Sequence, residues 1–195
     1  MLSGRVQRFA PFAFIFLLIC SANVSASWLA CPQQLTPPFV ELEKTSLLDP
    51  DQQFYDYKTK NYAGSIAIFH GGGMRAMPIL EGIELPVTET SDLRKIADAF
   101  EVRVLQDAMF QKTTRLLEVQ ATGAKASGYV FEAMFEHEGV RRYSYYGLWL
   151  EVNPAGLKVI RLAIDNHDGK QRSMNKNALE QLLLASARLC QLNAD

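Results

Sequence analysis

The sequence predicts an α+β domain: an antiparallel strand meander covered by two main helices. Three observations predict it. Leu93, Ile96, Ala97, Phe100 and Val104 recur at helical spacing. The period then drops to two, with Thr113, Arg115, Leu117, Val119 and Ala121 alternating against Thr114, Leu116, Glu118 and Gln120. Near the C-terminus a broad stripe returns at helical spacing through Leu179, Leu182, Leu183, Ser186 and Cys190.

Residues 1–26 read as a cleaved signal peptide. Arg5 and Arg8 form a basic start, Phe12 to Cys20 an apolar centre, and Val24-Ser25-Ala26 the small residues a signal peptidase reads. The apolar run is shorter than the ~20 residues a spanning helix needs, so membrane contact is expected only if the signal stays uncleaved. The expected location is therefore periplasmic or secreted. Removing the signal takes two arginines and no acid from 20 basic and 21 acidic residues, leaving a net of −3. A chain without basic excess has no electrostatic footprint for nucleic acid.

Cys31 and Cys190 remain after cleavage, near opposite ends of the mature chain. In an oxidising compartment two such cysteines are expected to pair. The alternative is a free Cys31 and a buried Cys190 on the last helix.

Residues 27–53 read as an irregular N-terminal arm, broken by Pro32, Pro37, Pro38 and Pro50. A single domain is expected over 54–195. Phe54 to Tyr57 forms a short strand, and Ser65 to Phe69 a stronger one between Gly64 and Gly71. Gly71-Gly72-Gly73 opens a loop through Pro78 and Pro86. Ser91 caps the first helix, Asp92 suits its positive end, and the helix is expected to reach about Met109.

The alternating stretch at 113–121 is a strand. Gly123 and Gly128 bracket a loop after it. Tyr129, Phe131, Ala133 and Phe135 then share one face of the next strand. Glu138-Gly139 turns the chain into a long strand from Val140 to Val152. Asn153-Pro154-Ala155-Gly156 turns it again into Leu157–Ile164. Asp165 to Lys170 ends the sheet. The last helix runs from about Met174 to Leu192, with Ser173 as its expected cap.

The chemistry is sparse. Ile66 to Phe69 leading into His70-Gly71-Gly72-Gly73 resembles the oxyanion-hole loop of lipase and esterase α/β-hydrolases. That family also needs a Gly-x-Ser-x-Gly elbow. Ser127, in Ala124-Lys125-Ala126-Ser127-Gly128, lacks the first glycine. His70, His137 and His167 form no ligand pair at helical spacing, there is no Cys-x-x-Cys, and Asp165 to Gly169 fails the register of a calcium loop. No catalytic, metal or cofactor residue is therefore assigned.

Tyr143, Tyr145, Tyr146 and Trp149 crowd one strand. Tyr143, Tyr145 and Trp149 fall on one face, with Gly147 leaving a gap among them. They serve either as core under a helix or as a candidate partner-binding surface.

The order and spacing of Ser65–Phe69, Ser91–Met109, Tyr129–Val152, Leu157–Ile164 and the closing helix with Leu182-Leu183 resembles the PsbP-like family of exported accessory proteins. The resemblance covers about residues 54–192. It implies a PsbP-like sandwich and a non-enzymatic role in binding or assisting envelope components, with no catalytic residues to carry over. The expected function is an exported binding or accessory protein of the bacterial cell envelope, with another envelope or exported protein as partner. The alternatives are an inhibitor or immunity protein of an exported enzyme, and a small hydrolase using the His70 loop.

Overall fold

A computed structural model describes residues 37–49, 52–70, 87, 90–102, 110–121, 125–153, 156–166 and 175–189. The elements are β1 (Phe39–Asp49), β2 (Gln52–Thr59), β3 (Tyr62–His70), α1 (Thr90–Phe100), β4 (Lys112–Gln120), β5 (Ala126–His137), β6 (Val140–Asn153), β7 (Gly156–Asn166) and α2 (Lys176–Arg188). The seven strands form one sheet in the order β1-β2-β3-β7-β6-β5-β4. Every neighbouring pair is antiparallel.

This corrects the expected α+β class. The protein is predominantly β, and its described residues hold two short helices of 11 and 13 residues. The strands run well past their apolar cores, because ladder hydrogen bonds continue where one face is already polar. The arm expected to be irregular supplies β1, an edge strand of 11 residues. Its register shifts three times along β2, and these shifts break the alternation a strand normally shows. Helix α1 is α-helical to Phe100 and continues as π-helix at Glu101 and Val102, while residues 103–109, through which it is expected to run, lie outside the described residues.

Local chemistry explains the turns. Glu138 and Gly139 both hold positive φ, 53° and 74°, as a two-residue hairpin turn with right-handed twist requires. Between β2 and β3, the Thr59 hydroxyl accepts from the Asn61 and Tyr62 amides at 3.3 and 2.8 Å. The cap of α2 is Asn175, whose side chain accepts from the Asn177 amide at 2.9 Å. The expected cap, Ser173, lies outside the described residues.

One helix lies on each face. Leu93, Ile96, Ala97 and Phe100 of α1 pack on Tyr129, Phe131, Leu148 and Leu150. On the opposite face Leu179, Leu182 and Leu183 of α2 pack on Ile66, Val130, Trp149, Ile160 and Leu162. Each leucine, isoleucine, valine or phenylalanine among them stabilises by roughly 1.5–3 kcal/mol on burial.

The expected loop boundary at Gly128 is also corrected: it lies within β5. A Cβ there would stand 2.7 Å from both Leu183 Cδ2 and Trp149 Cε3. The gap expected at Gly147 is likewise closed, by Leu162 at 3.1 Å and Leu183 at 3.3 Å from where a Cβ would be. The two glycines form a notch that seats one leucine of α2.

Candidate functional site

The aromatic strand divides. Trp149 and Tyr145 are buried beneath the α2 side of the sheet. The Tyr145 hydroxyl donates to Glu132 at 2.9 Å, and the Trp149 indole N–H to Glu151 at 3.4 Å. Both polar tips are thus satisfied from neighbouring strand positions, which suits a core role. Tyr143 is 42% exposed. Tyr146 points to the other face, where its ring meets Phe110 edge-on at 5.8 Å.

Tyr143 belongs to a projecting arm. The last rung between β4 and β5 is Lys112 with Met134, and the last between β6 and β7 is Tyr145 with Ile164. Beyond these rungs, among the described residues, β5 and β6 pair only with each other, through Phe135 with Arg142, Glu136 with Arg141 and His137 with Val140. Phe110 braces the base of the arm, its ring 5.9 Å from Phe135. Val140 is 53% exposed, and Arg141 and Arg142 are exposed beside it. Neither arginine joins an ion pair among the described residues. The arm offers two unneutralised guanidinium groups next to an exposed valine and tyrosine.

His70 closes β3 and is buried, directly opposite Lys158 in register. Lys158 is itself 2% exposed, on the α2 side. Its ammonium donates to the main-chain oxygens of Leu189 and Ala187 at 3.2 and 3.4 Å and lies 4.0 Å from Glu151. Burial lowers its pKa from the ordinary value, and Glu151 opposes that. Gln53 is buried nearby on the same face and accepts from the Tyr55 hydroxyl at 2.8 Å. Chemically this group caps a helix end, since a cation there meets unsatisfied carbonyls and the negative pole of the dipole.

The loop Gly71–Gly73 lies outside the described residues, as do Cys31, Cys190, His167 and residues 1–26, where a signal peptide is expected. Ser127 is 2% exposed, within β5. The described strands contain no parallel pair, so the sheet is not that of an α/β-hydrolase. No group of three or more metal-ligating side chains occurs among the described residues, and no described helix is long and apolar enough to cross a membrane.

Lys158 and Arg161 are not among the residues singled out from the sequence. A signal for them does exist. Leu157 to Ile164 is apolar except at these two positions, and a strand covered on both faces normally reads as a continuous apolar run. Two cations inside such a run must each meet a special environment.

No family model matches the chain, so the PsbP-like resemblance gains no support from one. No curated protein matches it either. Among solved structures, the chain is similar to LpqN of Mycobacterium tuberculosis, described as involved in cell envelope biogenesis. The identity is 10% and the TM-score 0.34, over 83% of this chain and 78% of that one. A likeness of that size fixes neither fold nor function.

Proposed function

We propose that the protein is an exported, non-enzymatic binding protein that holds another exported or envelope protein through the β5–β6 arm. The carrying observation is the exposed cluster of Val140, Arg141, Arg142 and Tyr143, on a strand end that pairs, among the described residues, only with β5. Apolar area beside arginine and tyrosine is the mix that anchors protein interfaces. Two arginines without carboxylate partners call for an acidic patch on the partner, which also speeds encounter. The basic start, apolar centre and small-residue site of residues 1–26 support export. The absence of a Gly-x-Ser-x-Gly elbow from the sequence supports a non-catalytic role.

Site-specific photocrosslinking in the exporting cell tests this reading. A crosslinker at Tyr143 or Val140 should give one discrete adduct, weakened by Arg141→Glu and Arg142→Glu. The same crosslinker at Lys95 on α1 should not. Identical patterns from the arm and from Lys95 would reject the arm as the interface.

A further inference from the structure

We propose that the α1 side of the sheet carries a second site, independent of the arm, in which Arg161 binds the carboxylate of a small organic acid whose apolar body lies across Ala67 and Ala163.

Arg161 occupies β7, with Ala67 of β3 and Leu148 of β6 as its register neighbours. Its guanidinium lies over the Phe100 ring, 5.6 Å from the centroid. Its Nε is buried without a hydrogen-bond partner. No carboxylate pairs with it among the described residues. The acids at the end of α1, Asp98 and Glu101, are both taken by Arg115 at 2.6 and 3.0 Å. Burial pushes the Arg161 pKa down from its ordinary value, with Tyr146 opposing. A cation–π contact offsets only part of the cost of removing a charge from water. An arginine so placed has the geometry of a receptor for an anion.

The surroundings describe the rest of the ligand. Across the strands beside Arg161 run Ala67 and Ala163, half-buried, and Ser65, exposed. Phe54 bounds this small-residue floor on β2, and Tyr146 bounds it on β6. The span is about 14 Å, three strand spacings. Small side chains between two aromatic residues leave room for a flat or compact apolar group. Asp56 and Asp165 stand exposed on the same face beyond the floor and repel a more highly charged ligand. A single guanidinium matches a single negative charge, which favours a carboxylate over a phosphate dianion.

Calorimetric titration of the exported protein with 2-naphthoate tests the site. The comparators are 2-naphthalenemethanol, which lacks the charge, acetate, which lacks the body, and inorganic phosphate. Naphthoate should bind at one site and weaken as salt rises, while the comparators bind at least about tenfold more weakly, the factor expected for a charged hydrogen bond. Arg161→Gln should weaken naphthoate by the same factor while leaving the unliganded melting temperature no lower than the parent's. Ala163→Leu, which fills the floor and leaves Arg161 in place, should abolish binding. Equal affinity for the alcohol, preference for phosphate, or undiminished binding in Ala163→Leu would overturn the proposal. So would a lower melting temperature in Arg161→Gln, since the guanidinium would then be a structural anchor on Phe100.

Discussion

Lys158 reaches from the middle of the sheet to the main-chain oxygen of Leu189, 3.2 Å away, where α2 ends. A second bond goes to Ala187 at 3.4 Å. The last carbonyls of a helix have no partner within it. Here a buried strand residue supplies the donor, so the C-terminus of α2 is fastened to β7 by a charge as well as by leucines.

Lys158→Met should therefore loosen α2 from its C-terminal end. The substitution removes the cost of a buried charge and leaves two carbonyls without their donor, for a net loss of about 1–2 kcal/mol. Urea denaturation measures the loss. Hydrogen exchange should quicken at the Leu189 amide, which donates to the Ser186 oxygen at 3.1 Å.

Stability should rise with pH on the approach to about pH 10 and fall beyond it. Burial lowers the folded pKa of Lys158 from 10.5, so below that value the unfolded chain holds a proton the folded one has released. More protons on the unfolded state means stability rises with pH. Tyr55, Tyr57, Tyr129 and Tyr146 have the opposite sense. Burial raises each from 10.0, so above that pH the unfolded chain ionises first and stability falls. Denaturation midpoints between about pH 8 and 11 should trace this maximum, and Lys158→Met should flatten its rising limb.

The strands from 126 to 166 were legible because each boundary carries turn chemistry, Glu138-Gly139 at one and Gly156 at the other, with apolar alternation between. β1 was not legible. Pro37 and Pro38 precede it and Pro50 follows it, while register shifts between Phe39 and Glu41 and again between Lys44 and Asp49 leave only Glu41–Lys44 in plain alternation. The balance of helix to sheet was misjudged for the same reason, since strand edges are set by pairing partners far away in the chain. Of the aromatic strand, periodicity placed Tyr143, Tyr145 and Trp149 on one face. It could not say that α2 covers two of them and leaves the third beyond its reach, because coverage depends on where β7 stops. Lys158 and Arg161 are legible only once the strand is known to be covered on both faces, because a strand carrying two cations otherwise reads as half-exposed.

Gly128→Ala should cost about 1–3 kcal/mol, as overpacking a closed core does. Its new methyl would press on Leu183 Cδ2 and Trp149 Cε3, both 2.7 Å away. Leu183→Ala vacates one of these, so the double variant should lose less than the sum of the two single losses. Strict additivity in the thermal melts would show that the notch does not exist.

Tyr143→Ala and Tyr145→Ala, two positions apart on one face of β6, should behave in opposite ways. Tyr145 is 7% exposed, packs in the α2-side core and donates to Glu132. Truncating it removes a ring and leaves a half-buried carboxylate without its hydroxyl, for a loss of about 3–5 kcal/mol. Tyr143 lies past the last rung with β7 and is 42% exposed. Its removal should change stability by no more than about 0.5 kcal/mol. Partner capture should show the reverse order. Tyr143→Ala should fold like the parent by circular dichroism yet lose the crosslinked adduct. A conservative Tyr145→Phe, which keeps the ring and drops only the hydroxyl, should keep it. Were Tyr143→Ala to retain full partner binding while Tyr145→Phe lost it, the contact surface would lie at the covered end of β6 and not on the arm.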